Sequence, residues 1–251
     1  MKTLEGKVAI VTGSGQGVGQ GIAFALSAEG SVVVVAGRTE SKLNATCEEI
    51  EKRGGRATPV VCDVTNKEQI EECVAATVSQ HGTVDILVNN AQIVPLGMLL
   101  EVREEDFIAG FDSGPLATLR FMKACYPYLK KGGSIVNLGT SASLRWDPIG
   151  YGAYAAVKEA TRSLTRAAAC EWGPDGIRVN AIVPLALSPG MDGWMKARPE
   201  EAEAFLKMVP LGRVGDCEID IGRAVVFLVG PDSGYITGAT LPLDGGQSFL
   251  R

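Results

Sequence analysis

The chain carries a single histidine, His81, among 251 residues, which excludes a histidine-rich metal site and most imidazole acid–base catalysis. Its six cysteines (Cys47, Cys62, Cys73, Cys125, Cys170 and Cys217) include no C-x-x-C pair. Reduced, mainly buried thiols are therefore expected, and no metal. No block of basic residues occurs, and 24 Lys and Arg against 29 Asp and Glu leave a net charge of −5. That balance excludes nucleic acid as an expected partner. No apolar run reaches the roughly 18–20 residues of a membrane span. Met1–Lys7 leads into a strand-like run without the apolar stretch of a secretory signal, so a cytoplasmic protein with no membrane partner is expected. No Pro/Gly/Ser-rich linker or composition break divides the chain. One domain over residues 1–251 is expected.

Two periodicities alternate along the sequence. Short β-branched runs occur at Val8–Val11, Ser31–Ala36, Thr58–Cys62, Asp85–Val88, Ser134–Leu138 and Arg178–Ile182, with a weaker one at Ala239–Leu243. Stretches with helical spacing lie between them, at Gly17–Glu29, Ser41–Arg53, Lys67–Gln80, Glu104–Leu129, Tyr154–Trp172 and Cys217–Leu228. The strand runs are nearly all apolar rather than alternating, which suits a sheet buried on both faces. The pattern predicts an α/β fold: a Rossmann-like, doubly wound, mostly parallel seven-stranded sheet with helices on both faces. Residues 184–213 break the rhythm, with Pro189, Pro199 and Pro210 and no strand signal. A loop of that length is expected to be functional, here a substrate lid.

The first strand run is followed by Thr12-Gly13-Ser14-Gly15-Gln16-Gly17-Val18-Gly19 and then at once by a helix. The G-x-G-x-x-G spacing is absent and T-G-x-x-x-G-x-G is present. Glycines in such a turn let the backbone approach a pyrophosphate, and the helix start directs free N–H groups at it. The second strand run ends in Ala36-Gly37-Arg38-Thr39, with no acid to bind a ribose 2′-OH and an arginine able to pair with a 2′-phosphate. NADP(H) is the expected cofactor; Glu40 is the one acid close enough to disturb that choice.

Tyr154 and Lys158 stand four residues apart in a helical stretch and so share a face. A fixed ammonium beside a phenol favours phenolate, which would let a chain nearly without histidine move protons.

These motifs, with Asn89-Asn90-Ala91, Arg178-Val179-Asn180, Ile236-Thr237-Gly238 and Leu243-Asp244-Gly245-Gly246, resemble the short-chain dehydrogenase/reductase family over essentially the whole chain. The resemblance implies hydride transfer between a nicotinamide and a carbonyl or secondary alcohol. It makes Tyr154 the acid/base and Lys158 the group that holds the nicotinamide ribose and tunes the phenol. Asn89 is expected to tie the central strands together. A hydroxyl against the substrate oxygen falls on Thr140 by one spacing and on Ser141 by another, with Ser141 preferred. Gly13, Ser14, Gln16, Gly17, Val18, Gly19, Arg38, Asp63, Val64, Asn90, Ala91, Pro184 and Leu187 are the expected cofactor contacts, together with Tyr154 and Lys158. Gln92, Trp146, Met191 and Trp194 are expected around a small-molecule substrate, with Ile93, Val94, Leu144, Arg145 and Leu185 as further wall candidates. Family members commonly assemble as homotetramers or homodimers.

Four positions depart from the family pattern. Gln92 replaces the glycine of N-N-A-G, Leu185 that of P-G, and Pro189 a threonine. The resemblance places Gly114 where a helix asparagine completes the catalytic tetrad, its main-chain carbonyl helping to hold a water that relays protons to the lysine. Gly114-Pro115 is expected to keep the helix bend. Two readings follow: an active NADP(H)-dependent enzyme, or a catalytically weak nucleotide-binding sensor or assembly protein on the same scaffold.

Overall fold

The computed structural model describes residues 2–130, 132–145 and 150–248. Trp146, a sequence-derived pocket candidate, lies outside the described residues. The strands are β1 (Val8–Thr12), β2 (Val32–Gly37), β3 (Arg56–Val61), β4 (Ile86–Asn89), β5 (Ser134–Leu138), β6 (Arg178–Pro184) and β7 (Thr240–Leu243). They form one sheet in the order β3-β2-β1-β4-β5-β6-β7, and every pairing is parallel. Strands β1, β4 and β5 are buried at every position, because helices cover both faces. Pro59 sits in β3, at the sheet edge, where its missing N–H leaves no ladder bond unmade.

Helices α1 (Gly17–Ala28) and α9 (Arg223–Val229) pack on one face, with Ile22, Leu26 and Val225 in the core. Helices α3 (Lys67–His81) and α5 (Ala117–Leu129) supply Ile70, Phe121, Met122 and Leu129 to the other. Helix α2 (Glu40–Lys52) contributes Leu43 and Ile50 to the first face. Strand order reverses between β1 and β4, which opens a crevice at the carboxyl ends of the central strands.

The helix predicted over 104–129 is divided into α4 (Glu104–Phe111) and α5 by a π turn, Asp112–Leu116. Pro115 cannot supply the N–H that an α-helix needs there, and the wider turn absorbs the gap. Cys217–Gly222, ahead of α9, is a second π turn. The segment read as a strandless lid contains two helices, α7 (Pro189–Ala197) and α8 (Pro199–Leu206), each started by a proline at a position that needs no N–H. All six cysteines are free; four of them are buried. His81 Nε2 lies 3.2 Å from Thr58 Oγ1, and no group of metal-ligating side chains occurs among the described residues.

Candidate active site

The crevice is a cleft of about 1050 Å³. Its floor begins at the glycine turn. Gly13 and Gly17 have φ of +65° and +59°, and a Cβ on Gly13 would stand 2.8 Å from Asn90 Nδ2. Asn90 donates from Nδ2 to the carbonyls of Thr12 (2.8 Å) and Gly13 (3.2 Å). Thr12 Oγ1 accepts from the N–H groups of Asn90 and Ala91. The turn after β1 is thus held open by the end of β4. One layer down, Asn89 Nδ2 donates to Asn137 Oδ1, and Asn137 donates to Thr165 Oγ1, which fastens β4, β5 and the helix beyond.

Gly13, Gln16, Gly17, Val18, Arg38, Asp63, Val64, Asn90, Ala91, Gln92, Pro184, Met191 and Trp194 all line the cleft. Ser14, Gly19 and Leu187 do not. The Ser14 hydroxyl is buried and donates to the Val11 carbonyl at 2.7 Å, closing the turn from behind. Gly19 packs against Asn90 and the Gly13 carbonyl, leaving no room for a Cβ. Leu187 is exposed, and its N–H donates to the Gly215 carbonyl at 2.8 Å, in a bridge that draws Ala186 onto Gly215. Its backbone N–H is already committed. Leu144 is likewise absent from the cleft wall, whereas Ile93, Val94, Arg145 and Leu185 are part of it.

At the end of β2, Arg38 is exposed and lines the cleft, whereas Glu40 is exposed and does not line it. Lys42, which sequence reasoning missed, also lines the cleft, and its Nζ donates to Gln16 Oε1 at 2.5 Å. It sits one turn into α2, so its only sequence signal is helical spacing from the β2 end. The Asp63 carboxyl is held below its ordinary range by the N–H and hydroxyl of Thr65 and by the Arg38 charge.

Helix α6 (Gly152–Trp172) carries Tyr154 and Lys158 on one face, toward the cleft. Lys158 is buried, 3% exposed, and donates from Nζ to the Leu138 carbonyl at 2.8 Å. Burial lowers its pKa to about 7. Nζ lies 5.7 Å from the centre of the Tyr154 ring. The expected depression of the phenol pKa is not met. Burial raises the Tyr154 pKa above the ordinary range, and a hydrogen bond with Thr140 opposes the rise without cancelling it. Lys158 Nζ is turned to the Leu138 carbonyl, and desolvation of the phenol prevails.

Thr140 and Ser141 both line the cleft, and their partners differ. Thr140 faces Tyr154, while Ser141 donates to Gln247 Oε1 at 3.3 Å. Thr140 is the N-cap of a short 3₁₀ turn, Ser141–Leu144, in extended backbone, which swings its side chain out of line with the next residue. Gln247, a cleft residue from beyond β7, carries no motif that sequence reasoning could have read.

Above the cleft, Pro189 Cδ would stand 3.3 Å from a Cβ on Gly17, so the start of α7 rests on the glycine turn. Trp194 and Phe205 meet edge to face at 5.6 Å, joining α7 to α8.

The glycine cradle, the α1 N-terminus and a buried ammonium beside a phenol suit an extended anionic dinucleotide. The family profile described as enoyl-(acyl carrier protein) reductase matches residues 13–248. The chain belongs to the short-chain dehydrogenase/reductase family. A 12alpha-hydroxysteroid dehydrogenase from Clostridium sp. is 42% identical over 98% of both chains. A 3-oxoacyl-[acyl-carrier-protein] reductase from Thermotoga maritima is 33% identical over 97% of this chain and 98% of its own. Among solved structures, a Burkholderia cenocepacia J2315 short-chain dehydrogenase in complex with NADP superposes with a TM-score of 0.90, at 31% identity, over 98% of this chain and 99% of that one. The protein is an oxidoreductase of this nicotinamide-dependent family, and its Rossmann-like sheet is the one the sequence pattern predicts. No helix among the described residues is long and apolar enough to cross a membrane.

Proposed function

We propose that the protein is an NADP(H)-dependent dehydrogenase/reductase that interconverts a secondary alcohol and its ketone, with a hydroxysteroid-like, fused alicyclic molecule as substrate class. The observation that carries this reading is the Thr140–Tyr154–Lys158 arrangement on the cleft floor, beside a glycine cradle. The substrate class rests on the 12alpha-hydroxysteroid dehydrogenase relative and on a wall that includes Ile93, Val94, Leu185, Met191 and Trp194. The nicotinamide, when bound, supplies the hydride in reduction and takes it up in oxidation.

In reduction, Tyr154 delivers its phenolic proton to the carbonyl oxygen as negative charge grows there, and Thr140 donates a second hydrogen bond to the same oxygen. Burial holds the proton on Tyr154 until the oxygen demands it. In its charged form Lys158 stabilises the phenolate that remains. In oxidation the same groups run backwards, with the phenolate as base. The α7–α8 segment acts as a lid that excludes water from this exchange. Residues 1–251 function as one domain in the cytoplasm. We expect a homodimer or homotetramer built on α4, α5 and α6, where Ile108 and Phe111 leave apolar surface exposed.

The cofactor choice rests on Arg38 at the rim and the absence of an acid at Gly37. Arg38→Ala should weaken NADPH binding by about 1.5–3 kcal/mol, the scale of hydrogen bonds to a charged group, and leave NADH binding unchanged. Calorimetric titration of both cofactors checks this. Equal losses for the two would remove Arg38 from 2′-phosphate recognition.

A further inference from the structure

The end of the cleft where the glycine turn meets β2 is lined by two cations, Arg38 and Lys42, both exposed. Lys42 owes its place to the packing of α2. Its neighbour Leu43 is buried, with Cδ2 against two glycines: a Cβ would stand 3.2 Å from it at Gly37 and 3.4 Å from it at Gly15. The Lys42 Cβ would stand 3.0 Å from that same Cβ on Gly15. The first turn of α2 is therefore seated on both the glycine turn and the end of β2. From that anchored base, the ammonium reaches Gln16 Oε1 at 2.5 Å.

This is an unusual partner for a lysine. Nζ carries three donors and a full charge, and the amide oxygen of Gln16 is neutral. Among the described residues, neither Lys42 nor Arg38 forms an ion pair. The one carboxylate that shares this end of the cleft, Asp63, already accepts from the N–H and hydroxyl of Thr65. Two cations therefore face one committed acid, a balance that draws in an anion. The two also differ in kind. A guanidinium is a flat fork that grips two oxygens, whereas an ammonium is a point charge on a flexible stem. A phosphate monoester, with three terminal oxygens and close to two negative charges, can satisfy both at once; a ribose hydroxyl offers neither the charge nor the acceptors.

We propose that Lys42, held at the cleft by Gln16, is the second cation of a site for the 2′-phosphate of NADP(H). Arg38 supplies the fork and Lys42 the point charge. Selection of the phosphorylated cofactor then belongs to a pair of side chains, one after β2 and one on α2, rather than to Arg38 alone. The proposal rests on the NADP(H) reading above.

The test is calorimetric titration of the full chain with NADPH, with NADH, and with adenosine 2′,5′-bisphosphate and adenosine 5′-monophosphate, two fragments that differ only in the 2′-phosphate. Lys42→Met keeps the stem and removes the charge. It should weaken binding of NADPH and of the bisphosphate roughly 10-fold, the low end for a hydrogen bond to a charged group because the site is exposed. NADH and the monophosphate should bind almost as before. Lys42→Arg should keep most of the NADPH affinity. Combined with Arg38→Ala, Lys42→Met should erase the preference for NADPH over NADH that each single change only reduces. Unchanged NADPH binding by Lys42→Met would overturn the proposal. So would equal losses for the phosphorylated and unphosphorylated ligands, which is what a purely structural lysine would give. The two levels of the argument fail differently. If Arg38→Ala is selective for NADPH and Lys42→Met is not, the Lys42 assignment alone fails; if the wild-type protein binds NADH as tightly as NADPH, the cofactor reading itself fails.

Discussion

Tyr154→Phe is expected to lower kcat by at least the roughly 10²–10⁴-fold that a positioned acid–base group supplies, with NADPH binding nearly unchanged. The substitution removes one oxygen and its proton and leaves the ring in place. Tyr151, 6.3 Å away edge to face, keeps the ring oriented. The variant isolates chemistry from packing, because the lost hydroxyl's hydrogen-bond partner, Thr140, can turn its own hydroxyl to the cleft. Single-turnover measurement of nicotinamide oxidation gives the rate directly. A variant retaining most of the wild-type rate would move the chemistry to another group.

Lys158→Met is expected to lower both turnover and NADPH affinity while stabilising the ligand-free protein at neutral and acidic pH. The lysine titrates near 7 in the folded chain, below its ordinary value near 10.5, because its ammonium is buried. Between those two pH values the unfolded chain binds more protons than the folded one, so wild-type stability rises with pH across that window. Below about pH 7 the full penalty applies, up to about 5 kcal/mol at 1.36 kcal/mol per pKa unit. Methionine cannot charge and escapes it. The melting-temperature advantage of Lys158→Met should be largest below pH 7 and shrink as the pH climbs toward 10. Parallel curves for the two proteins would mean that Lys158 is not buried as an uncompensated charge.

The order of strands and helices was readable because each strand is a short apolar run and each helix an amphipathic stretch. Edge strand β3 was placed late, at Thr58–Cys62 rather than Arg56–Val61, since Arg56 and Pro59 dilute its signal at an edge that tolerates both. Helices α7 and α8 were hidden by the prolines that start them. Position along the chain could not show that Thr140 meets Tyr154 while Ser141 meets Gln247. Nor could spacing reveal that Lys158 donates to the Leu138 carbonyl, or that burial raises the phenol pKa. Gln92 and Gly114 were each legible as departures from the family pattern. Their contact in space was not, because it exists only where the π turn brings residue 114 against the chain after β4.

The most direct test of the account is the initial rate of cofactor oxidation by the purified protein with a 12-oxo steroid, run in parallel with NADPH and with NADH. The account predicts stereospecific reduction to the alcohol with NADPH, a much slower rate with NADH, and no turnover by Tyr154→Phe under the same conditions. Binding of NADPH without reduction of this or any other ketone would contradict it, and would mark the protein as a nucleotide-binding scaffold without catalysis.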